Sequence, residues 1–95
     1  MMWTLSDALA YIRELQPRAM ATGWCVLLGG GVLNQGASAH DLDLLFYPRT
    51  ASAQRRDLLE ILPPGRWDRV PVGDLYTYDV EGRRIEGIFQ THVPN

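Results

Sequence analysis

The stretch LLGGGVLNQGASAHDLDLLFYP, Leu27 to Pro48, decides how this chain is read. Three consecutive glycines, Gly29, Gly30 and Gly31, close one apolar run, and Asp41 and Asp43 stand one leucine apart inside a second. Alternate side chains of a strand share a face, so Asp41, Asp43, Leu45 and Tyr47 point one way while Leu42, Leu44 and Phe46 point the other. The second set is core. On the first face the two carboxylates lie roughly 6.5–7 Å apart along the strand, a spacing that lets both lean onto one hard divalent cation. Beside an apolar sheet they need water, a cation or hydrogen-bond donors. An exposed sheet face accounts for Asp-Leu-Asp equally well when the motif is taken alone. Glycines permit positive φ and let phosphate oxygens approach backbone N–H groups; a tight, close-packed turn uses them in the same way.

Outward from this stretch, WCVLL (Trp24 to Leu28) is a continuous apolar run bounded by glycines, which predicts a strand covered on both faces. Residues 32–39 are expected to form one turn and a loop, followed by the strand HDLDLLFYP. Upstream, Leu5, Ala8, Leu9, Ile12 and Leu15 recur at helical spacing, with Thr4 or Ser6 as cap and Asp7 in the first turn. Pro17 predicts either a kink near Gln16 or an end there with a restart through PRAMAT, and Gly23 a stop. Downstream, Thr50 or Ser52 is placed to cap a helix burying Leu58, Leu59 and Leu62, which Pro63-Pro64-Gly65 ends. From Trp67 to Thr91 the chain reads as extended, with a hairpin turning at Glu81-Gly82. The element order α, β, short turn, β, α, β, β gives a single mixed α/β or α+β domain over residues 1–95.

Composition limits the partners. Nine basic residues, all Arg, against eleven acidic ones give a net charge of -2, unlike a surface built to neutralise a nucleic-acid backbone. Cys25 is the single cysteine, so no intrachain disulfide forms. The N-terminus lacks the pattern of a signal peptide, and no apolar segment approaches bilayer length, which leads us to expect a soluble cytoplasmic protein. His40 and His92 lack partners at metal-ligand spacing and are given no role. The aromatics Trp3, Trp24, Trp67, Tyr76 and Tyr78 could stack a base, but their spacing suits core.

A strand, Gly-Gly, about ten residues and Asp-Leu-Asp on a second strand together form a composite pattern. In it the chain resembles the nucleotidyltransferase superfamily typified by DNA polymerase beta, whose signature is Gly-Gly or Gly-Ser, a short helix, then acidic-hydrophobic-acidic-hydrophobic on the next strand. The string LGGGVLNQGASAHDLDLLFYP looks most like small nucleotidyltransferase-like proteins encoded by tailed phages. The likeness covers most of the chain, and its specificity lies in residues 28–46.

The resemblance implies a minimal nucleotidyltransferase-like fold, a mixed sheet of about four strands flanked by two to three helices. It also implies that Asp41 and Asp43 hold Mg²⁺ or Mn²⁺ on a nucleoside triphosphate. Gly29, Gly30, Gly31 and Ser38 would then receive the nucleotide; Ser38 serves equally well as a loop cap bonding its own backbone. A two-metal clamp on the attacking and leaving oxygens calls for a third carboxylate. Glu86 in RRIEGIF is our expected third ligand and Asp79 the alternative. With the turn at Glu81-Gly82, Thr77 should lie opposite Glu86, on a face shared with Leu75, Asp79, Arg84 and Ile88. Asp79 opposite Arg84 also reads as an ordinary surface ion pair.

Similar phage proteins carry lysines before the aspartates, where this chain has Asn34, Gln35, Ala39 and His40, leaving Arg49 as a candidate to meet triphosphate charge. Two functions follow. One is a metal-dependent nucleotidyltransferase acting on a hydroxyl of a protein, an RNA end or a small molecule. The other is an inactive protein of the same fold, phage-encoded, that binds a host protein. So small a domain leads us to expect a protein partner or self-association.

Overall fold

The structure, a computed structural model, describes residues 2–29 and 38–90. It is of the α+β class, with one long helix on a five-stranded mixed sheet. In chain order the elements are β1 (Trp3–Thr4), α1 (Leu5–Ala21), β2 (Trp24–Leu28), β3 (Ser38–Ala39), β4 (Asp41–Pro48), α2 (Arg55–Leu59), β5 (Gly65–Val70), β6 (Gly73–Val80) and β7 (Arg83–Phe89). The main sheet runs β2-β4-β7-β6-β5, and β1 pairs with β3 in a small separate ribbon. All main-sheet neighbours are antiparallel except β4 and β7, which run parallel.

Five strands stand where about four were expected. The addition is β5, whose residues are almost all exposed and whose only large apolar side chain is Trp67, so its alternation is faint in the sequence. The described helices number two, the second of only five residues. The β6–β7 hairpin turns at Glu81-Gly82 as expected, both residues at positive φ (53° and 78°), as a two-residue turn matched to strand twist requires.

Helix α1 starts at Thr4, whose hydroxyl accepts from the Asp7 N–H. It neither ends nor restarts at Pro17 but continues to Ala21. One proline removes a single backbone donor, and the anchoring residues on either side hold the helix together. Its buried stripe is Ala8, Leu15 and Ala19, with Tyr11 and Ile12 packed against the core; Leu5 and Leu9 are exposed, contrary to the expected stripe. On the turned stripe the Tyr11 hydroxyl shares a 2.8 Å hydrogen bond with that of Tyr78. Neither Thr50 nor Ser52 caps α2. Their hydroxyls lie 3.3 Å from each other, and Gln54 takes the cap position without a side-chain bond.

The core is the helix-facing side of the sheet: Val26, Leu42, Leu44, Phe46, Ile85 and Phe89 with Trp3, Trp24 and Leu58. Trp3 is fully buried; its indole N–H donates to the Arg84 carbonyl (2.9 Å), and the Arg83 guanidinium lies 3.9 Å from its ring centroid. Strand β2 has a wet face after all, because Leu27 is 44% exposed. It lies at one edge of the sheet, where continuous apolarity does not imply two covered faces.

That edge is sealed from within. The Gln16 side-chain amide donates to the Val26 carbonyl (2.7 Å), and its carbonyl accepts from the Val26 N–H (2.9 Å), as a neighbouring strand would. Gln16→Ala should therefore cost about 1–2 kcal/mol, lowering Tm by roughly 5–10 °C in a thermal melt. An unchanged Tm would show that water replaces the amide without cost.

Candidate functional site

Strand β4 alternates without a break: Leu42, Leu44 and Phe46 are buried, and Asp41, Asp43, Leu45 and Tyr47 are half-buried on the other face. Both described helices contribute to the core on the helix side, so the aspartates stand on the open face of the sheet. Parallel pairing sets Glu86 of β7 beside Asp43 and Arg84 beside Asp41. On the far side of β7, Thr77 lies opposite Glu86 and Asp79 opposite Arg84, the register expected from the turn. Across the open face the chain thus arrays Gly29, Asp43, Glu86, Thr77 and Arg66 in one row. Asp79 stands one strand farther from the aspartates than Glu86 does.

The three carboxyls interact. Burial raises the Glu86 carboxyl above its ordinary value, its hydrogen bond to Asp41 adds to this, and the charges of Asp41 and Asp43 push the same way; Arg84 opposes them. Two carboxyls can share a hydrogen bond only when one carries the proton, and neighbouring negative charge favours the protonated form of Glu86. A raised value in the folded state stabilises below the unfolded value and is lost as pH rises through the folded one. Lowering the pH from neutral into the range where a carboxyl of raised pKa takes up its proton should therefore raise the Tm of the wild-type protein. Asp74, whose hydrogen bond to Arg55 pulls its carboxyl below its usual value, destabilises only at more acid pH, so the two windows are separate. Solvent screening at this half-buried site holds the effect to about 1 kcal/mol or less. Glu86→Gln should be a few degrees more stable at pH 7 and show a flatter profile; a profile matching the wild type would remove Glu86 from the cluster.

Gly29 closes the row at the end of β2. Its N–H donates to the Asp43 carbonyl at 2.7 Å, and a Cβ at position 29 would come within 2.9 Å of the Asp43 Cβ. Only glycine fits so close to the Asp43 backbone. Gly30 and Gly31 lie outside the described residues, as do Asn34, Gln35 and His92. Ser38 pairs through its backbone with Thr4, which ties the segment before Asp41 to the start of α1.

No family model and no curated protein matches this chain. The site therefore has to be judged on its own chemistry. Among the described residues no three His, Cys, Asp or Glu side chains are gathered into a ready metal cage. The donor set, carboxylate oxygens alone, nevertheless suits Mg²⁺ or Mn²⁺, because such ions are commonly held by one or two carboxylates and complete their shell with water and substrate phosphates.

Two placements differ from expectation. Arg49 follows the far end of β4, six residues from Asp43, or roughly 20 Å along the strand, and does not reach the row. Arg84, expected on the face of Glu86, also stands beside Asp41, a neighbour that does not follow from sequence. It lies opposite Asp79 across the hairpin, as the turn predicts, and the parallel partner strand also sets it beside Asp41. The period-two pattern of RRIEGIF carried the signal; the neighbour of β7 did not follow from it. A cavity of ≈ 610 Å³ opens elsewhere, between α1, residues 61–63 and the β6–β7 turn, and none of the three carboxylates lines it. Most candidate stacking aromatics are core: Trp3, Trp24, Tyr76 and Tyr78 are buried, and only Trp67 is exposed. Among the described residues no helix is long and apolar enough to cross a membrane.

Proposed function

We propose that this chain is a metal-dependent nucleotidyltransferase that moves a nucleotidyl group from a nucleoside triphosphate to a hydroxyl acceptor on a protein, an RNA or a small molecule. The observation that carries this reading is Glu86, set beside Asp43 on a parallel neighbour strand, with Asp41 two residues along the same face. Carboxylate oxygens gathered on one face suit a hard divalent cation, and the reaction supplies a polyphosphate to accompany it.

In this reading Asp41 and Asp43 hold Mg²⁺ or Mn²⁺. The ion, when bound, neutralises phosphate charge and acidifies an acceptor hydroxyl. Glu86, whose carboxyl is held high, accepts the proton from that hydroxyl as its oxygen attacks the α-phosphorus; the bond to the bridging oxygen breaks and pyrophosphate leaves. Gly29 keeps the end of β2 clear of side chain beside Asp43, and Arg84 offers its guanidinium to phosphate oxygens. Isothermal titration with ATP and GTP tests the reading. Heat of binding is expected with Mg²⁺ or Mn²⁺ and not in EDTA. Absence of binding in every combination overturns it.

A second reading, an inactive protein of this fold that is phage-encoded and binds a host protein, is favoured by the open setting of the carboxylates and by the placement of Arg49 away from them. It predicts no nucleotide heat and a protein partner instead.

A further inference from the structure

The two edges of the main sheet are treated differently. At β2 the Gln16 amide occupies the outward backbone groups of Val26. At the opposite edge β5 runs GRWDRV with uninterrupted pairing to β6 from Gly65 to Val70, so no bulge twists it away. Residues 71–72 form a two-residue turn that makes Val70 and Gly73 the closing pair. In an antiparallel ladder Arg66, Asp68 and Val70 then direct their backbone groups at β6, while Gly65, Trp67 and Arg69 direct theirs outward. The Arg69 N–H agrees with this: it donates to the Asp68 carboxylate at 2.8 Å. Among the described residues the outward groups of Trp67 have no backbone partner outside the sheet ladders, and the Trp67 side chain is 44% exposed.

We propose that this edge pairs antiparallel with β5 of a second copy, with Trp67 on the two-fold axis, joining two five-stranded sheets into one of ten. Charge selects both the occupant and the register. With Trp67 opposite Trp67, Arg66 falls opposite Asp68 of the second copy, twice, on the open face. Sliding by one hydrogen-bonding step in either direction sets Arg66 against Arg66 or Asp68 against Asp68 at the axis, which like charge opposes. Arg66 and Asp68, the charges that would otherwise protect an edge, are complementary about Trp67 and lie on exposed positions. Pairing also covers the exposed indole, which already packs on Tyr76 and Phe89 (ring centroids 5.0 and 5.1 Å) beneath the Arg55 guanidinium. The Arg69 N–H then passes from Asp68 to the Gly65 carbonyl of the second copy, freeing Asp68 for Arg66. This inference stands independently of the nucleotidyltransferase reading.

Sedimentation and light scattering of the full chain test it. Wild type is expected at twice the 10.7 kDa chain mass. Arg66→Asp and Asp68→Arg, each alone, should raise the dimer dissociation constant at least ~10-fold, because each sets two like charges opposite one another. An equimolar mixture of these two single variants should form a heterodimer, and the Arg66→Asp/Asp68→Arg double variant should recover the homodimer. Circular dichroism checks that each remains folded, as exposed positions allow. A wild type that stays monomeric at its highest soluble concentration overturns the proposal and leaves this edge to a strand from another protein. A dimer indifferent to both single variants, or a mixture that stays monomeric, overturns it too.

Discussion

Gly87→Ala is expected to cost about 3 kcal/mol or more, a large share of the roughly 5–15 kcal/mol that holds a domain of this size together. Gly87 lies on β7 beside Glu86, between Leu44 of β4 and Tyr76 of β6, with its missing side chain directed into the core. A Cβ there would overlap Phe46 Cε2 and come within 2.8 Å of Cδ2. The ring cannot swing aside freely, since Phe46 is fully buried and packs on Phe89 at a centroid distance of 5.0 Å. Either the ring leaves its rotamer or β7 moves away from β4, and the second path draws Glu86 away from Asp43. Chemical denaturation should show a lower midpoint with an unchanged slope. Adding Phe46→Leu should return part of the loss, so that the double variant is more stable than the two single costs added together. Strict additivity would show that ring and glycine are not in competition for one space.

Asp41→Asn combined with Asp43→Asn should produce opposite changes in two measurements. On the proposed reading, binding of nucleotide in Mg²⁺ should weaken more than ~100-fold, since removing the proposed ligands themselves exceeds the loss from altering their supports. Stability should rise by about 1 kcal/mol, or ~4–8 °C in Tm, because the Glu86 carboxyl no longer faces two like charges and settles toward its ordinary value. Asparagine keeps the shape that Gly29 packs against, so the fold is retained. Both quantities belong on the same preparation. Nucleotide binding equal to that of wild type would remove the aspartates from the site.

Much of this site is local and so could be read from residue order. The alternation of Asp41-Leu42-Asp43-Leu44 follows from strand geometry, and the Glu81-Gly82 turn sets Thr77 against Glu86 without knowledge of the rest. What escaped was non-local. That β7 lies beside β4, bringing Arg84 to Asp41, depends on which edge of a hairpin docks where, and no short window of sequence contains that choice. Strand β5 escaped because an edge strand is under little pressure to alternate. Helix α1 outran Pro17 because a proline removes one hydrogen bond, while Leu15, Ala19 and the Gln16 amide grip on both sides of it. Leu5 and Leu9 are exposed although their spacing suits a buried stripe, because periodicity gives the existence of a stripe but leaves its rotation to the partner surface.

The parallel contact between β4 and β7 also bears on when the site comes into being. The β6–β7 and β5–β6 pairs join neighbours in the chain, whereas Asp43 and Glu86 meet only after a long loop has closed, and closing long loops is the entropically slow part of assembling a sheet. A chain with its hairpins formed and this contact unmade would hold its carboxylates apart. On the proposed reading, any capacity to gather a cation would arrive with the completed fold, and a newly made or partly unravelled chain would have no half-built site with which to sequester nucleotide.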